Sequence, residues 1–153
     1  MGDRVKDKVA VVTGIGSIGP GWGNGKATAV HFAREGAKIF GVDINLEAAE
    51  ETKGIIDREG GECTVLRADV SITDEVKSFV DRCIEVYGRV DILHNNVGIL
   101  DVGGPVETDE ESWDRVIDVN LKSLFLTCKY VLPHMEKQGS GTIVNISSIN
   151  AID

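Results

Sequence analysis

Six glycines lie close together near the start of the chain and are suited to holding a phosphate group. They follow a short β-branched run at residues 9–13 and are Gly14, Gly16, Gly19, Gly21, Gly23 and Gly25. Because glycine has no side chain, backbone N–H groups can face a pyrophosphate, and a following helix N-terminus adds partial positive charge. The cluster therefore predicts a phosphate-binding turn between a first strand and a first helix.

The spacing of these glycines allows two registers. A literal match to the dinucleotide fingerprint G-x-G-x-x-G begins at Gly14. It would start the helix at Gly19, where a proline and three more glycines follow, and each helical glycine costs about 1 kcal/mol. We therefore expect the helix to begin near Gly23 to Gly25, with residues 15–22 forming an enlarged loop. In this register Gly14 makes the tight turn, and Gly23 and Gly25 permit close backbone approach.

Asp43 ends the second strand-like run, 18 residues after Gly25. An acidic residue at this place can accept hydrogen bonds from the adenosine ribose hydroxyls and repels a 2′-phosphate. The position favours NAD over NADP as the cofactor. An ordinary helix-capping role before Ile44 and Asn45 is the structural alternative.

Strand-length apolar runs alternate with segments of helical periodicity. The runs cover residues 9–13, 39–43, 64–66, 90–93 and 142–146, and the helical segments cover 24–35, 46–59, 73–87 and 109–137. This alternation predicts an α/β fold, a Rossmann-like doubly wound parallel sheet with helices on both faces. We expect a single domain over residues 1–153.

The last helical segment carries its own expectations. Thr108 and Asp109 precede two glutamates in a capping box, and Pro133 is expected to kink the helix or end its regular part. A broad apolar face is formed by Trp113, Val116, Ile117, Leu121, Leu124, Phe125 and Cys128. His94, within the fourth strand-like run, is expected to be a core histidine.

Composition excludes several classes of function. Lys and Arg number 16 against 25 Asp and Glu, a formal charge of −9, so the chain is a poor candidate for binding nucleic acid. No segment has the pattern of a signal peptide or a membrane span. Cys63, Cys83 and Cys128 are far apart within apolar patterns, which suits free thiols in a reducing cytosol. We expect a cytoplasmic protein without a metal site.

An ordered set of motifs resembles the short-chain dehydrogenase/reductase family. The motifs are Thr13-Gly14 with Gly23-Asn24-Gly25-Lys26, Asp69-Val70, Asn95-Asn96-Val97-Gly98, Asn120 and Ile146-Ser147-Ser148. Members of this family bind NAD or NADP on a Rossmann sheet and interconvert alcohols and carbonyls. The resemblance implies an NAD-dependent oxidoreductase that acts on a secondary alcohol or ketone and, by analogy, forms a homo-oligomer.

The resemblance also implies roles for individual residues. Ser148 resembles the serine of the family's catalytic tetrad, which holds the substrate oxygen, and Ser147 is the alternative serine. Asn120 resembles the tetrad asparagine, which holds a water. Asp69 resembles the carboxylate that binds the adenine amino group, and Val70 the backbone donor that follows it. The residues expected to bind the cofactor are Gly14, Gly16, Ser17, Gly23, Asn24, Gly25, Asp43, Asp69, Val70, Asn96, Val97 and Gly98.

The sequence departs from the family pattern in three respects. The spacing from Gly14 to Gly23 is five residues longer than in the TGxxxGxG loop, and Val97 replaces the usual alanine. No Tyr-x-x-x-Lys pair follows Ser148, so relative to the family the chain is C-terminally incomplete. Hydride transfer to a carbonyl needs a proton donor, and we therefore expect the chain by itself to be inactive.

Two other functions stay open. The chain could be a noncatalytic dinucleotide-binding module. It could also belong to the enoyl-thioester reductase branch, where an enlarged loop likewise follows the first strand.

Overall fold

The structure, a computed structural model, describes residues 2–148. Its elements are β1 (Val9–Thr13), α1 (Asn24–Arg34), β2 (Lys38–Asp43), α2 (Leu46–Arg58), β3 (Glu62–Arg67), α3 (Thr73–Tyr87), β4 (Ile92–Asn95), α4 (Glu110–Ile117), a π-helical turn (Asp118–Lys122), α5 (Ser123–Gln138) and β5 (Thr142–Asn145). The strands pair in parallel in the order β3-β2-β1-β4-β5. The predicted Rossmann-like α/β fold is confirmed.

Helices cover both faces of the sheet, which explains the uninterrupted apolar runs of the strands. Phe40 and Phe79 belong to a buried cluster beneath α3 and α5, whereas Ile39 and Ile56 belong to a cluster beneath α1 and α2. Phe40 and Ile39 are neighbours on β2 and point to opposite faces because side chains alternate along a strand. Burial of each such side chain stabilises the fold by roughly 1.5–3 kcal/mol.

β4 begins two residues later than the sequence pattern predicts. Val90 is fully buried, but its backbone pairs with the Gln138 side chain, through Val90 N–H to Oε1 at 3.2 Å and Nε2 to Val90 O at 2.9 Å. Asp91 follows and accepts a hydrogen bond from Val9 N–H at 2.9 Å. A hydrophobic pattern does not distinguish burial beside a helix end from burial in a strand, so the predicted start of β4 is two residues too early.

The last helical segment is expected from its sequence to begin with a capping box, to be kinked or ended at Pro133, and to run as one helix. Asp109 caps α4, accepting from Ser112 N–H at 2.7 Å, whereas the Thr108 hydroxyl bonds to Gly104 O instead. Pro133 does not end α5, which continues to Gln138 because buried residues on both sides of the proline hold it to the core. The predicted continuous helix is also interrupted by the π-helical turn.

Burial also determines the state of two cysteines. It raises the pKa of both Cys63 and Cys83 to about 12, so these thiols stay protonated at neutral pH and pack as apolar groups. Among the described residues, no helix combines the length and the apolar character that crossing a membrane requires.

Candidate functional site

The turn from β1 to α1 is closed by two glycines whose backbones nearly touch. Gly14 has a left-handed φ of +66°. A Cβ on Gly25 would lie 1.9 Å from the Gly14 carbonyl oxygen and 2.7 Å from Asn96 Nδ2, so only glycine fits at that position. α1 begins at Asn24 with Gly23 as its N-cap, as the register with the enlarged loop predicts.

The first turn of α1 fits an anion. Within the described part of the chain, no side chain caps it and no acidic residue lies in its first turn. The amides that begin a helix have no partner inside it, and the helix dipole favours negative charge at this end. Asn24, Gly25 and Lys26 therefore present N–H groups suited to the phosphates of a dinucleotide.

The enlarged loop, residues 15–22, closes on itself in front of this helix. Ser17 Oγ accepts a hydrogen bond from Gly23 N–H at 2.9 Å and donates to Gly21 O at 3.4 Å. Ile18 and Trp22 are exposed, and Lys26 Nζ lies 5.6 Å from the centre of the Trp22 ring. Ser17 thus closes the loop within the protein.

Asp43 lies at the end of β2, and both of its carboxylate oxygens accept backbone hydrogen bonds. Oδ2 accepts from Gly16 N–H and Oδ1 from Asn45 N–H, each at 2.9 Å. The helix cap of α2 is Asn45, which accepts from two amides of the first turn. Asp43 therefore contacts the enlarged loop, a contact that its strand-end position alone does not reveal.

Asp69 and Val70 follow β3 and contact the beginning of α3. Asp69 Oδ1 accepts from the Ser71 backbone at 2.9 Å and from its hydroxyl at 2.6 Å, while Asp69 N–H donates to Glu75 Oε2 at 2.7 Å. The Val70 side chain is buried in the core. These contacts fix the segment without using every acceptor position of the Asp69 carboxylate.

The end of β4 is fastened to the glycine turn by Asn96. Its backbone N–H donates to Thr13 Oγ1 at 3.1 Å, and its Nδ2 donates to Gly14 O at 3.2 Å. A Cβ on Gly14 would lie 3.1 Å from Val97 Cγ2. The structure thus brings Gly14, Gly25, Asn96 and Val97 together at the carboxyl edge of the sheet, where open α/β sheets bind ligands.

Asn120 lies in the π-helical turn and clamps the segment after β4. Ile99 N–H donates to Asn120 Oδ1 at 2.7 Å, and Asn120 Nδ2 donates to Ile99 O at 2.8 Å. Gly98 is adjacent, since a Cβ there would meet Asn120 Oδ1 at 3.7 Å. π-Helical turns are rare and frequently occur at functional sites, so the turn marks Asn120 independently of any motif.

Ser148 lies beyond β5 and is exposed. Strand pairing continues past β5, as Ile146 N–H donates to Asn95 O at 2.9 Å. Asn95 Nδ2 also donates to Asn145 Oδ1, and Asn95 Oδ1 accepts from the Thr127 hydroxyl, both at 2.9 Å. The sequence pattern did not single out Thr127 or Asn145, which connect α5 and β5 to the end of β4.

The family model and the relatives found by comparison with known proteins are all oxidoreductases or short chain dehydrogenases. A family model described as short chain dehydrogenase matches residues 8–153. An uncharacterized oxidoreductase of Thermotoga maritima is 43% identical over 141 residues, which is 92% of this chain and 53% of that protein. Levodione reductase of Leifsonia aquatica is 38% identical over 152 residues, 97% of this chain and 55% of the relative. The chain thus spans about half the length of the curated relatives it matches.

Solved structures agree with these relatives. A candidate short-chain dehydrogenase/reductase from Burkholderia xenovorans has a TM-score of 0.96 at 48% identity, covering 99% of this chain and 60% of that one. A crystal structure of levodione reductase has a TM-score of 0.91 at 37% identity, covering 98% of this chain and 57% of the other. The motifs, the sheet order and the family model converge, and the chain belongs to the short chain dehydrogenase family.

Proposed function

We propose that this chain forms the cofactor-binding part of an NAD-dependent oxidoreductase that interconverts a secondary alcohol and a ketone. Relatives of the family are oxidoreductases, and those 37–38% identical to the chain include a cyclohexanol dehydrogenase of Acinetobacter and levodione reductase. The observation that carries the proposal is the uncapped start of α1 behind the Gly14–Gly25 contact. This is an anion site at the carboxyl edge of a parallel sheet.

Different residues at this edge of the sheet bind different parts of the cofactor. The amides of Asn24 to Lys26 would hold the phosphates, Asp43 would bind the adenosine ribose, and Asp69 with Val70 would hold the adenine. Asn96, Val97 and Gly98 would line the nicotinamide side. The bound cofactor supplies the hydride acceptor or donor.

Ser148 and Asn120 serve the substrate side. The Ser148 hydroxyl holds the substrate oxygen by a hydrogen bond, and Asn120 fixes the segment after β4 through its two bonds to Ile99. Serine is too weak an acid to protonate the developing alkoxide by itself. Tyr87 is unsuited to that role, because its hydroxyl donates to Ile39 O at 3.2 Å and burial raises its pKa to about 12.

Oxidation of secondary alcohols by the protein at its full natural length tests this proposal. We expect NADH to form from NAD in the presence of a cyclic or aliphatic secondary alcohol, and NADP to be used less well. Ser148→Ala should lower kcat about 10²-fold and leave the Kd for NADH unchanged, since the role proposed for this hydroxyl is to hold the substrate oxygen and not the cofactor.

Two outcomes would favour the alternatives. If the protein binds NADH but neither oxidises any alcohol nor reduces any ketone, it is a noncatalytic dinucleotide-binding module. Reduction of a C=C bond in an enoyl thioester would indicate the enoyl-thioester reductase branch, which the enlarged loop favours.

A further inference from the structure

We propose that Asp43 is a positioning residue that anchors the enlarged loop, in addition to its place beside the ribose. The position of the loop and the preference for NAD then depend on the same carboxylate. The part of this inference that concerns cofactor preference rests on the proposed function.

The anchor consists of two short hydrogen bonds to a carboxylate. Asp43 Oδ2 accepts from Gly16 N–H and Oδ1 from Asn45 N–H, both at 2.9 Å. Hydrogen bonds to an ionised acceptor are roughly twice as strong as neutral ones. One side chain at the end of β2 therefore joins the enlarged loop to the segment that begins α2.

Gly16 is packed too tightly for any other residue. A Cβ at this position would lie 2.6 Å from Ala48 Cβ and 3.0 Å from Asp43 Oδ2. The absence of a side chain at Gly16 thus serves the close approach of the loop to α2 and to Asp43. The literal G-x-G-x-x-G match contains Gly16, but here the residue is required by a contact within the protein.

Ile15 secures the same end of the loop from the core. Its side chain is fully buried, and a Cβ on Gly41 of β2 would lie 2.3 Å from Ile15 Cδ1. The Thr52 hydroxyl of α2 donates to Ile15 O at 3.0 Å. Ile15 and Gly16 are therefore fixed between β2 and α2, while the tip of the loop from Ile18 onward is exposed.

This arrangement couples loop position to cofactor choice. A 2′-phosphate on the ribose would lie beside the Asp43 carboxylate, which repels it. Replacing Asp43 by serine removes the repulsion and also removes the acceptor of Gly16 N–H. We therefore expect Asp43→Ser to weaken NADH binding about tenfold through loss of a charge-assisted bond, without a gain in NADPH affinity.

Amide hydrogen exchange over residues 14–23 of the cofactor-free, full-length protein tests the anchor directly. Asp43→Ser and Gly16→Ala break the same contact from its two sides, and each should speed exchange of the backbone amide at position 16 about tenfold. Gly19→Ala is the matched control, because a Cβ there meets nothing within 4 Å. It should leave exchange unchanged.

The outcomes separate this proposal from the proposed function. Wild-type exchange in Asp43→Ser or in folded Gly16→Ala would overturn the anchor, and so would tighter NADPH binding by Asp43→Ser with an undisturbed loop. Asp43→Asn, which keeps the size and loses the charge, provides the test if Gly16→Ala does not fold. If the wild type binds neither NADH nor NADPH, the proposed function fails, yet the exchange measurement still decides whether Asp43 holds the loop.

Discussion

His94 combines burial with an incomplete set of hydrogen bonds. Its Nδ1 is buried and has no hydrogen-bond partner within residues 2–148. The imidazole and the Phe32 ring pack in a T-shaped arrangement with 6.3 Å between the ring centres. Burial disfavours the imidazolium and lowers the pKa of His94 below its usual value of 6.5. The residue is a core histidine, as the sequence analysis predicts, and not a candidate base.

The depressed pKa predicts a pH dependence of folding stability. As the pH drops below 6.5, the unfolded state binds a proton at His94 before the folded state does. The neutral His94 therefore costs no stability above this pH, and the free energy of unfolding falls below it. His94→Leu should reduce the loss of stability between pH 8 and pH 5, measured as the urea midpoint at each pH. His31→Gln, at an exposed histidine, is the control. An equal loss in His94→Leu and the wild type would contradict the prediction.

At the scale of elements, the π-helical turn and the segment after β4 are held together by one side chain. Asn120 accepts from and donates to the backbone of Ile99, at 2.7 and 2.8 Å. The π-helical turn lies between α4 and α5. The pair therefore fixes the long helical segment relative to the end of β4, where the candidate site lies.

Removing the Asn120 amide should loosen this connection. Asn120→Ala leaves Ile99 N–H and C=O without their partners, and we expect a loss of about 1–3 kcal/mol in the free energy of unfolding. Amide exchange at Ile99 should accelerate in parallel. Asn120→Asp keeps the acceptor for Ile99 N–H, so its free energy of unfolding should lie between those of the wild type and Asn120→Ala. If Asn120→Ala unfolds and exchanges like the wild type, the two hydrogen bonds between Asn120 and Ile99 contribute nothing to stability.

At the scale of the molecule, the outer side of the α4–α5 segment is a large uncovered apolar surface. Trp113, Leu121 and Phe125 are 61%, 60% and 61% exposed. The sequence pattern predicts a broad apolar face here, and the structure leaves these three residues of it exposed, because the opposite side of α5 packs into the core. Exposed apolar patches of this kind mark interaction sites, which supports the expected homo-oligomer.

Charge placed on this surface should prevent self-association. Leu121→Glu and Phe125→Glu should each shift the protein to a smaller species in sedimentation velocity, because a carboxylate is costly to bury in an apolar contact. Val86→Glu, at an exposed apolar residue on α3, should leave the distribution unchanged. Wild-type sedimentation of both Leu121→Glu and Phe125→Glu would exclude this surface from the assembly.

The sequence by itself determined the class of fold and the place of the glycine turn. The start of α1 at Asn24 follows from local energetics, because glycine and proline disfavour a helix over residues 19–23. The alternation of apolar runs and helical periodicity likewise reflects which faces each segment must bury. These are properties of neighbouring residues, and a sequence displays them directly.

Only the tertiary structure decided which polar groups of the site are engaged within the protein. Asp43 meets Gly16, Asn120 meets Ile99, and Asn96 meets Gly14 across 27, 21 and 82 residues of chain. The start of β4 and the exposure of Phe125 also depend on distant partners. Propensity and periodicity describe a residue and its neighbours along the chain, whereas hydrogen-bond partners and burial are set by which elements the fold brings into contact.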